Sequence, residues 1–408
     1  MEILYPRCAG LDVHKESVMA CARVVAGASV RHDSAEFATT TRGLLQLAEW
    51  LQEHACTHAA MEATGVYWKP VWHVLEGHLE LQLINPAHAR NVPGRKSDVS
   101  DARWLADLLA HGLVRPSFVP PAPIQELRDL TRTRKQLVRQ VGRHTLRIQK
   151  TLEDANLKLT GVISDLLGTS GRAILKALIA GETDPARLLE HTTGRLEAPR
   201  ERLLDGLRGV VTDHHRFMLR LHLRQVESLE SGIAQLERQI ARLLRPFRGR
   251  VEQLATIPGV SDTVAQVLVA EIGLDMTRFP TAGHLISWAG LCPRMDESAG
   301  KRRSTRVRKG APWLKTTLVV AGWAAAGSHD TYLRAQFQRL KTRRGPKKAV
   351  VAVAASILTA AYYILRDQVP YQDLGSDYFD RRNRTAVVSR LRRRIEKLGY
   401  RVELHQVA

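Results

Sequence analysis

Cysteine is scarce in this chain. There are four in 408 residues, Cys8, Cys21, Cys56 and Cys292, and none pairs with another at the short spacing of a metal knuckle. That excludes a disulfide scaffold and a cysteine-based zinc site, and it fits a reducing, cytoplasmic setting. Long apolar runs are missing as well. The stretch from Ala349 to Leu365 has 17 residues without a charge, short of the roughly 20 that cross a bilayer, and its alanine content reads as a buried core helix. No membrane partner is expected. The N-terminal MEILYPRCAGLDVHK lacks the apolar core of a signal peptide, so none is expected.

Acid is the other deficit. Lys and Arg number 61 against 41 Asp and Glu, a formal charge of +20. Such an excess suits a polyanionic partner, because neutralising phosphates releases their counterions. The competing reading on charge alone is a merely basic soluble protein. With 44% hydrophobic and 25% charged residues the chain is globular, and its length allows two or three cored domains.

The first 115 residues alternate strand-like and helix-like pieces. Tyr5 to Val13, Ser17 to Val25 and Ser29 to Ala38 read as three strands; Leu44, Leu47 and Leu51 follow at helical spacing behind threonine caps. A strand ending at Glu62, a helix through Val71 and Leu75, the strand LELQLIN and a helix from about Ser97 complete the segment. This is the element order of an α/β RNase-H-like (RuvC-like) fold, expected over residues 1–118. Four prolines between Pro116 and Pro123 mark a boundary. A helical, coiled-coil region is expected over 119–248, because Leu219, His222, Val226, Leu229, Ile233, Leu236, Ile240 and Leu243 step by threes and fours without a break. The seam packs either within the chain or between subunits. Residues 249–370 read as an all-α domain opening on LATIPGVSDTVAQVLVAEIG, a helical hairpin that either offers backbone N–H groups to a phosphate or is purely structural. A basic helical tail fills 371–408, with Val388, Leu391, Ile395 and Leu398 on one face.

Four acids of the first segment fall at strand ends and a helix start. Asp12 lies near the end of the first strand and Glu62 ends the fourth; Asp98 and Asp101, three apart, share a helix face. Carboxylates gathered in this way need cations, and an oxygen-only set favours Mg²⁺ or Mn²⁺ over Zn²⁺. Two such ions would stabilise the attacking and leaving oxygens of a phosphodiester. Taken singly, each acid reads as a solvated charge or, for Asp98, a helix-terminus charge. Asp107 reads as surface.

GLDVHK, EATGVYW, NPAHARNVPGRKSDVSDARWLA, IPGVSDTVAQVLVAEIG and FPTAGHLISWAGLCPRMDESAGKRR occur in the order found in insertion-sequence 110 transposases, and from about residue 6 to 365 the chain resembles that family. The resemblance implies a RuvC-like domain whose tetrad is Asp12, Glu62, Asp98 and Asp101, and a C-terminal domain whose catalytic serine is Ser298. It also implies donor and target DNA as substrates, an element-encoded bridge RNA as guide, and a homo-oligomer, dimer or tetramer, in which serine and tetrad come from different subunits. A cytoplasmic, nucleoid-associated location would follow. The chain departs from the family pattern in a longer middle segment, in ESAG where ESG is commoner, and in a longer basic tail.

On this reading Ser298 attacks a DNA phosphorus and stores the bond as a 5′-phosphoserine link. Lys301, Arg302, Arg303, Arg306, Arg308 and Lys309 follow it and are expected to contact phosphates. Arg128, Arg132, Arg134, Lys135, Arg139 and Arg143 form a basic helix face expected to bind the RNA by shape and charge. Two other readings compete: a metal-dependent structure-specific nuclease, in which Ser298 only contacts phosphate, and a non-catalytic nucleic-acid-binding protein.

Overall fold

The computed structural model describes residues 3–27, 29–63, 65–85, 98–114, 116–163, 165–193, 199–293, 296–304, 306–308 and 310–404; the side chains at 98–100, 296, 298, 302 and 303 lie outside that description. The chain divides into two compact units, Met1–Val119 and Pro120–Ala408.

In the first unit a five-stranded mixed sheet has the order β3-β2-β1-β4-β5, from β1 (Arg7–Val13), β2 (Ser17–Ala26), β3 (Ser29–Ala38), β4 (His58–Glu62) and β5 (Glu80–Ile84). β1–β2 and β2–β3 are antiparallel, while β1–β4 and β4–β5 are parallel and joined by helices. Side-chain alternation sorts the core. Ala9, Leu11 and Val13 face α1 (Thr41–Glu53) and α2 (Trp68–Leu75) through Leu44, Leu47, Leu51, Val71 and Leu75. Cys8, Ala60 and Ile84 face the other way, onto Leu105, Leu108 and Leu109 of α3 (Asp98–Ala110). Thr40 caps α1 by accepting from the Gly43 N–H.

The second unit is helical apart from one hairpin. α4 (Ala122–Asp154) and α8 (Asp213–Leu244) are its long arms, with α5 (Thr169–Ala180), α6 (Pro185–Glu190) and α7 (Arg200–Gly206) packed around the base. Arg134 to Glu237 (3.1 Å), His144 to His222 (3.3 Å) and Asp154 to His215 (3.2 Å) show that the arms run antiparallel. The partner of the heptad seam is therefore α4 of the same chain. Leu219, His222, Val226 and Ile240 are buried, while Leu229, Ile233 and Leu236 are half-buried.

α9 (Arg248–Ala255) and α10 (Asp262–Ile272) form the helical hairpin that the Pro-Gly turn announces. Gly259 has φ +83°, and a Cβ there would stand 2.4 Å from the Ala321 carbonyl of α12 (Pro312–Gly327). The turn is thus packed against a helix backbone. α11 (Ala282–Trp288) precedes the hairpin of β6 (Asp296–Ser298) and β7 (Lys301–Ser304), which the all-α expectation for 249–370 misses. α13 (Tyr332–Arg344) and α14 (Pro346–Asp367) complete the body. α14 is long and apolar enough to span a membrane by length and composition, but 56% of its apolar window is buried. The short α15 (Tyr378–Arg382) and α16 (Arg384–Glu396) end the described chain.

Candidate functional site

The register of the parallel pair brings two of the four acids together. Leu11 pairs with Met61, so Asp12 and Glu62 are the next residues on adjacent strands, and alternation puts both on the face that α3 covers. Gly10 decides how closely α3 lies. A Cβ on it would fall 1.9 Å from the Ala102 carbonyl oxygen, 2.6 Å from the Ala106 nitrogen and 2.9 Å from the Leu105 Cβ. The helix backbone sits directly on β1 because that residue has no side chain. Asp101, one residue before Ala102, is thereby carried to the strand end where Asp12 lies, and it is half-buried. Asp98 opens the same helix, with its side chain outside the described residues. His14 Nε2 approaches Asp12 Oδ2 at 3.3 Å and is otherwise well exposed.

Asp107 corrects the sequence reading. It accepts from Arg23 Nε at 2.9 Å and lies 3.1 Å from His32 Nε2. The Arg23 side chain, on β2 beneath α3, is 4% exposed, so Asp107 is the counter-charge of a buried cation. Together Gly10 and the Arg23–Asp107 pair hold α3 in place from below and along its length. Neither signal is legible in sequence, since a strand glycine and a helix aspartate have many bland explanations. Cys8 lies in the same layer, its thiol donating to the Ala106 carbonyl at 3.5 Å and pushed by burial up to about 12, which leaves it unreactive.

The carboxylates at this strand end are oxygen donors, the chemistry of a hard divalent cation, with the His14 imidazole beside Asp12. Among the described residues no three Asp, Glu, His or Cys side chains meet closely enough to hold an ion.

Ser298 is the last residue of β6 and pairs with Lys301, leaving Ala299 and Gly300 as a two-residue turn. Both have positive φ, +50° and +72°, as in the type I′ turns that suit a twisted hairpin. The extra alanine of ESAG is therefore a turn residue in the left-handed region. Glu297 pairs with Arg302 and Asp296 with Ser304, so one residue, Arg303, bulges from β7. Further down, Pro293 bridges Val307 in the same antiparallel sense. At the base, Gly290 and Gly310 stand back to back: a Cβ on Gly290 would be 2.8 Å from the Gly310 Cα, and one on Gly310 would be 2.5 Å from the Gly290 Cα. The segment is a narrow antiparallel finger, pinched at two glycines and carrying Ser298 at its tip. Lys301, Arg306 and Arg308 are exposed along it; the side chains of Arg302, Arg303 and Lys309, like that of Ser298, lie outside the described residues.

The six cations of α4 divide. Arg132 grips Glu271 with two hydrogen bonds of 2.8 Å, and Glu271 is 1% exposed. Arg128 donates to the last carbonyls of α10, Ala270 and Glu271, at 3.2 and 2.7 Å, and burial lowers its pKa to about 10. Lys135 donates to the Trp313 carbonyl and to the hydroxyls of Thr316 and Thr317 on α12. Arg134 bonds Glu237 and Thr263. These four fasten α4 to its neighbours. Arg139 lies 5.5 Å over the Trp313 ring and remains exposed, and Arg143 is exposed.

Comparison with known proteins finds two matched segments. Residues 9–157 match a DEDD transposase family of the IS110 type, described as "Transposase", and residues 251–338 match "Transposase IS116/IS110/IS902 family". The chain is 24% identical over 384 residues to the "Pilin gene-inverting protein" of Moraxella bovis, covering 89% of this chain and 96% of that one. The protein of the same name from Moraxella lacunata is equally similar. The "Insertion element IS110 uncharacterized 43.6 kDa protein" of Streptomyces coelicolor is 28% identical over 155 residues, 36% of this chain and 38% of the relative. The first match contains all four acids and the second contains the serine finger, and the chain belongs to the IS110 family of transposases, enzymes of DNA transposition and recombination.

Proposed function

We propose that this transposase cuts and rejoins donor and target DNA through a covalent link at Ser298, with Asp12, Glu62, Asp98 and Asp101 as the supporting carboxylate set. The observation that carries the reading is the finger: Ser298 ends β6 at a two-residue hairpin turn, and Lys301, Arg306 and Arg308 are exposed along the same hairpin.

The step balances without water. The Ser298 Oγ bonds to phosphorus as the bond from phosphorus to the DNA 3′ oxygen breaks; the serine proton is lost and the departing oxygen leaves as a 3′ hydroxyl. After strand exchange, the 3′ hydroxyl of the new partner attacks the phosphoserine and the Oγ regains its proton. Lys301 and the arginines beside it offset charge on the non-bridging oxygens. Asp12 and Glu62, adjacent on parallel strands, with Asp101 carried in by α3 and Asp98 one turn earlier, would hold Mg²⁺ or Mn²⁺. A bound cation supplies Lewis-acid stabilisation of the phosphate oxygens. The 3-2-1-4-5 mixed sheet supports an RNase-H-like assignment for this unit.

A guide RNA is part of the same proposal. Arg139 and Arg143 are the members of the α4 basic face open to its phosphates, because the other four are engaged within the chain. Base pairing would then choose the sequence, and a homo-oligomer would bring the two DNA ends together. The test is a trapping gel with Mg²⁺, the co-purifying RNA and labelled element-junction DNA. A band shifted by covalent protein, absent in Ser298→Ala and in Asp12→Ala, is expected. Nicked free DNA that persists in Ser298→Ala but not in Asp12→Ala would replace this reading with the metal-dependent nuclease.

A further inference from the structure

The helices after Asp367 take no part in the site above, yet they carry a dense run of positive charge. Between Arg381 and Lys397 eight basic residues face a single acid, Glu396. Four of them, Arg390, Arg393, Arg394 and Lys397, recur at i, i+3, i+4 and i+7, which is one stripe of a helix. All four are exposed, and no residue of α16 is buried. Like charges at these spacings weaken an isolated helix. Arg392 has Glu396 as a partner at 2.7 Å, but no member of the stripe has an acid within ion-pair distance among the described residues.

The stripe opens onto a second basic wall. A groove of about 360 Å³ separates α13 from α16 and is lined by Gln338, Arg339 and Thr342 on one side and Asn383, Val387 and Arg390 on the other. Asp380 is the acid of this lining. Arg339 is held over the Phe379 ring at 4.8 Å, which keeps its guanidinium at the groove. Past Thr342 the α13–α14 corner adds Arg343, Arg344, Lys347 and Lys348, all exposed. Arg339 and Arg390 on opposite sides of the groove, with Asp380 as the acid of its lining and the exposed cations of both helices flanking it, match a phosphodiester backbone better than a protein face, which would need an acidic counterpart on each side.

We propose that the face shared by α13, α15 and α16 is a second, sequence-independent binding surface for duplex DNA. It holds flanking DNA by its phosphates, apart from the serine finger. B-form DNA has a major groove about 12 Å wide that admits a helix such as α16, whereas the A-form RNA major groove is too narrow for side chains to read. The proposal rests on the family's action on DNA and is independent of the serine chemistry.

The test uses the full chain and a labelled duplex of random sequence, with no RNA and no cleavage. Binding is measured across a salt series for the wild type and for R390Q/R393Q/R394Q/K397Q. Loss of four phosphate contacts makes the slope of log affinity against log salt shallower by about 3–4. The charge-keeping R390K/R393K/R394K retains the wild-type slope. Should the fourfold variant melt early, R390Q/K397Q alone gives a change of about 2. An unchanged slope overturns the proposal, as does a loss seen on an RNA duplex but not on DNA. So does a changed sedimentation coefficient with an unchanged slope, which would make the helix a contact between copies through Val388, Leu391 and Ile395. Because no covalent adduct is read, failure here and failure of the serine mechanism are separate results.

Discussion

Gly10→Ala puts the geometry of the carboxylate set under direct strain. The added methyl would lie 1.9 Å from the Ala102 carbonyl oxygen and 2.6 Å from the Ala106 nitrogen, both backbone atoms that no rotamer change can move. Real Cβ contacts stay beyond 3.0 Å, so α3 must retreat from β1 by more than an ångström. Overpacking of this kind costs about 1–3 kcal/mol, and more where the obstacle is main chain. Asp101 moves with the helix while Asp12 stays with the strand. A displacement near 1 Å between acting groups lowers a rate by roughly 10²-fold. Denaturant unfolding followed by circular dichroism reads the first effect, and the yield of trapped covalent adduct reads the second. Gly142→Ala is the contrasting change. That glycine lies in α4, and a methyl added to it would meet nothing within 4 Å, so alanine there stabilises by about 0.5–1 kcal/mol through helix propensity. A Gly10→Ala protein with wild-type stability and full adduct yield would refute the claim that this close approach positions α3.

Other expectations concern the second unit. Arg132→Ala removes both hydrogen bonds to the buried Glu271 carboxylate, leaving Arg128 at 3.7 Å as its counter-charge, and lowers stability by about 1–3 kcal/mol, measured by denaturant titration, whereas Arg143→Ala leaves stability unchanged and weakens binding of the co-purifying RNA in a filter assay. Ala299→Gly removes the cost of a left-handed alanine at the hairpin tip, about 1 kcal/mol, and slows amide exchange of the finger; Ala299→Val speeds it. His144 and His222 face each other at 3.3 Å, and burial lowers both pKa values, with Arg147 adding repulsion at each. Neutral rings suit the fold, so the unfolded chain takes up protons first. Stability is therefore full above the ordinary histidine value near 6.5 and falls as pH drops below it toward the depressed native values. His222→Leu flattens that fall in melting curves taken between about pH 5 and 7.

Much of the first unit is legible in sequence because one physical signal sets each element. Period-two alternation in the first three strands and threonine before the Leu44–Leu51 stripe both correspond to features of the fold. The adjacency of Asp12 and Glu62 also follows from strand order. What escaped is tertiary. The role of Gly10 depends on which helix crosses it, and that of Asp107 on an arginine 84 residues away. The basic residues of α4 show the same limit: charge pattern marks a cationic face, but only packing reveals that Arg132 is committed to a glutamate 139 residues later. The finger was hidden for another reason. Its strands are three and four residues long and highly charged, so neither apolar alternation nor β-propensity announces them. The positive φ at Ala299 is the kind of local exception that alanine's preferences argue against.

In the proposed reaction a DNA phosphate becomes bonded to Ser298. Adduct from the trapping reaction can be digested with protease and nuclease and the peptide spanning the finger sequenced by mass spectrometry. A nucleotide joined through its 5′ phosphate to the Ser298 oxygen is expected. The same modification on another residue, or an unmodified peptide alongside cleaved DNA, would contradict it.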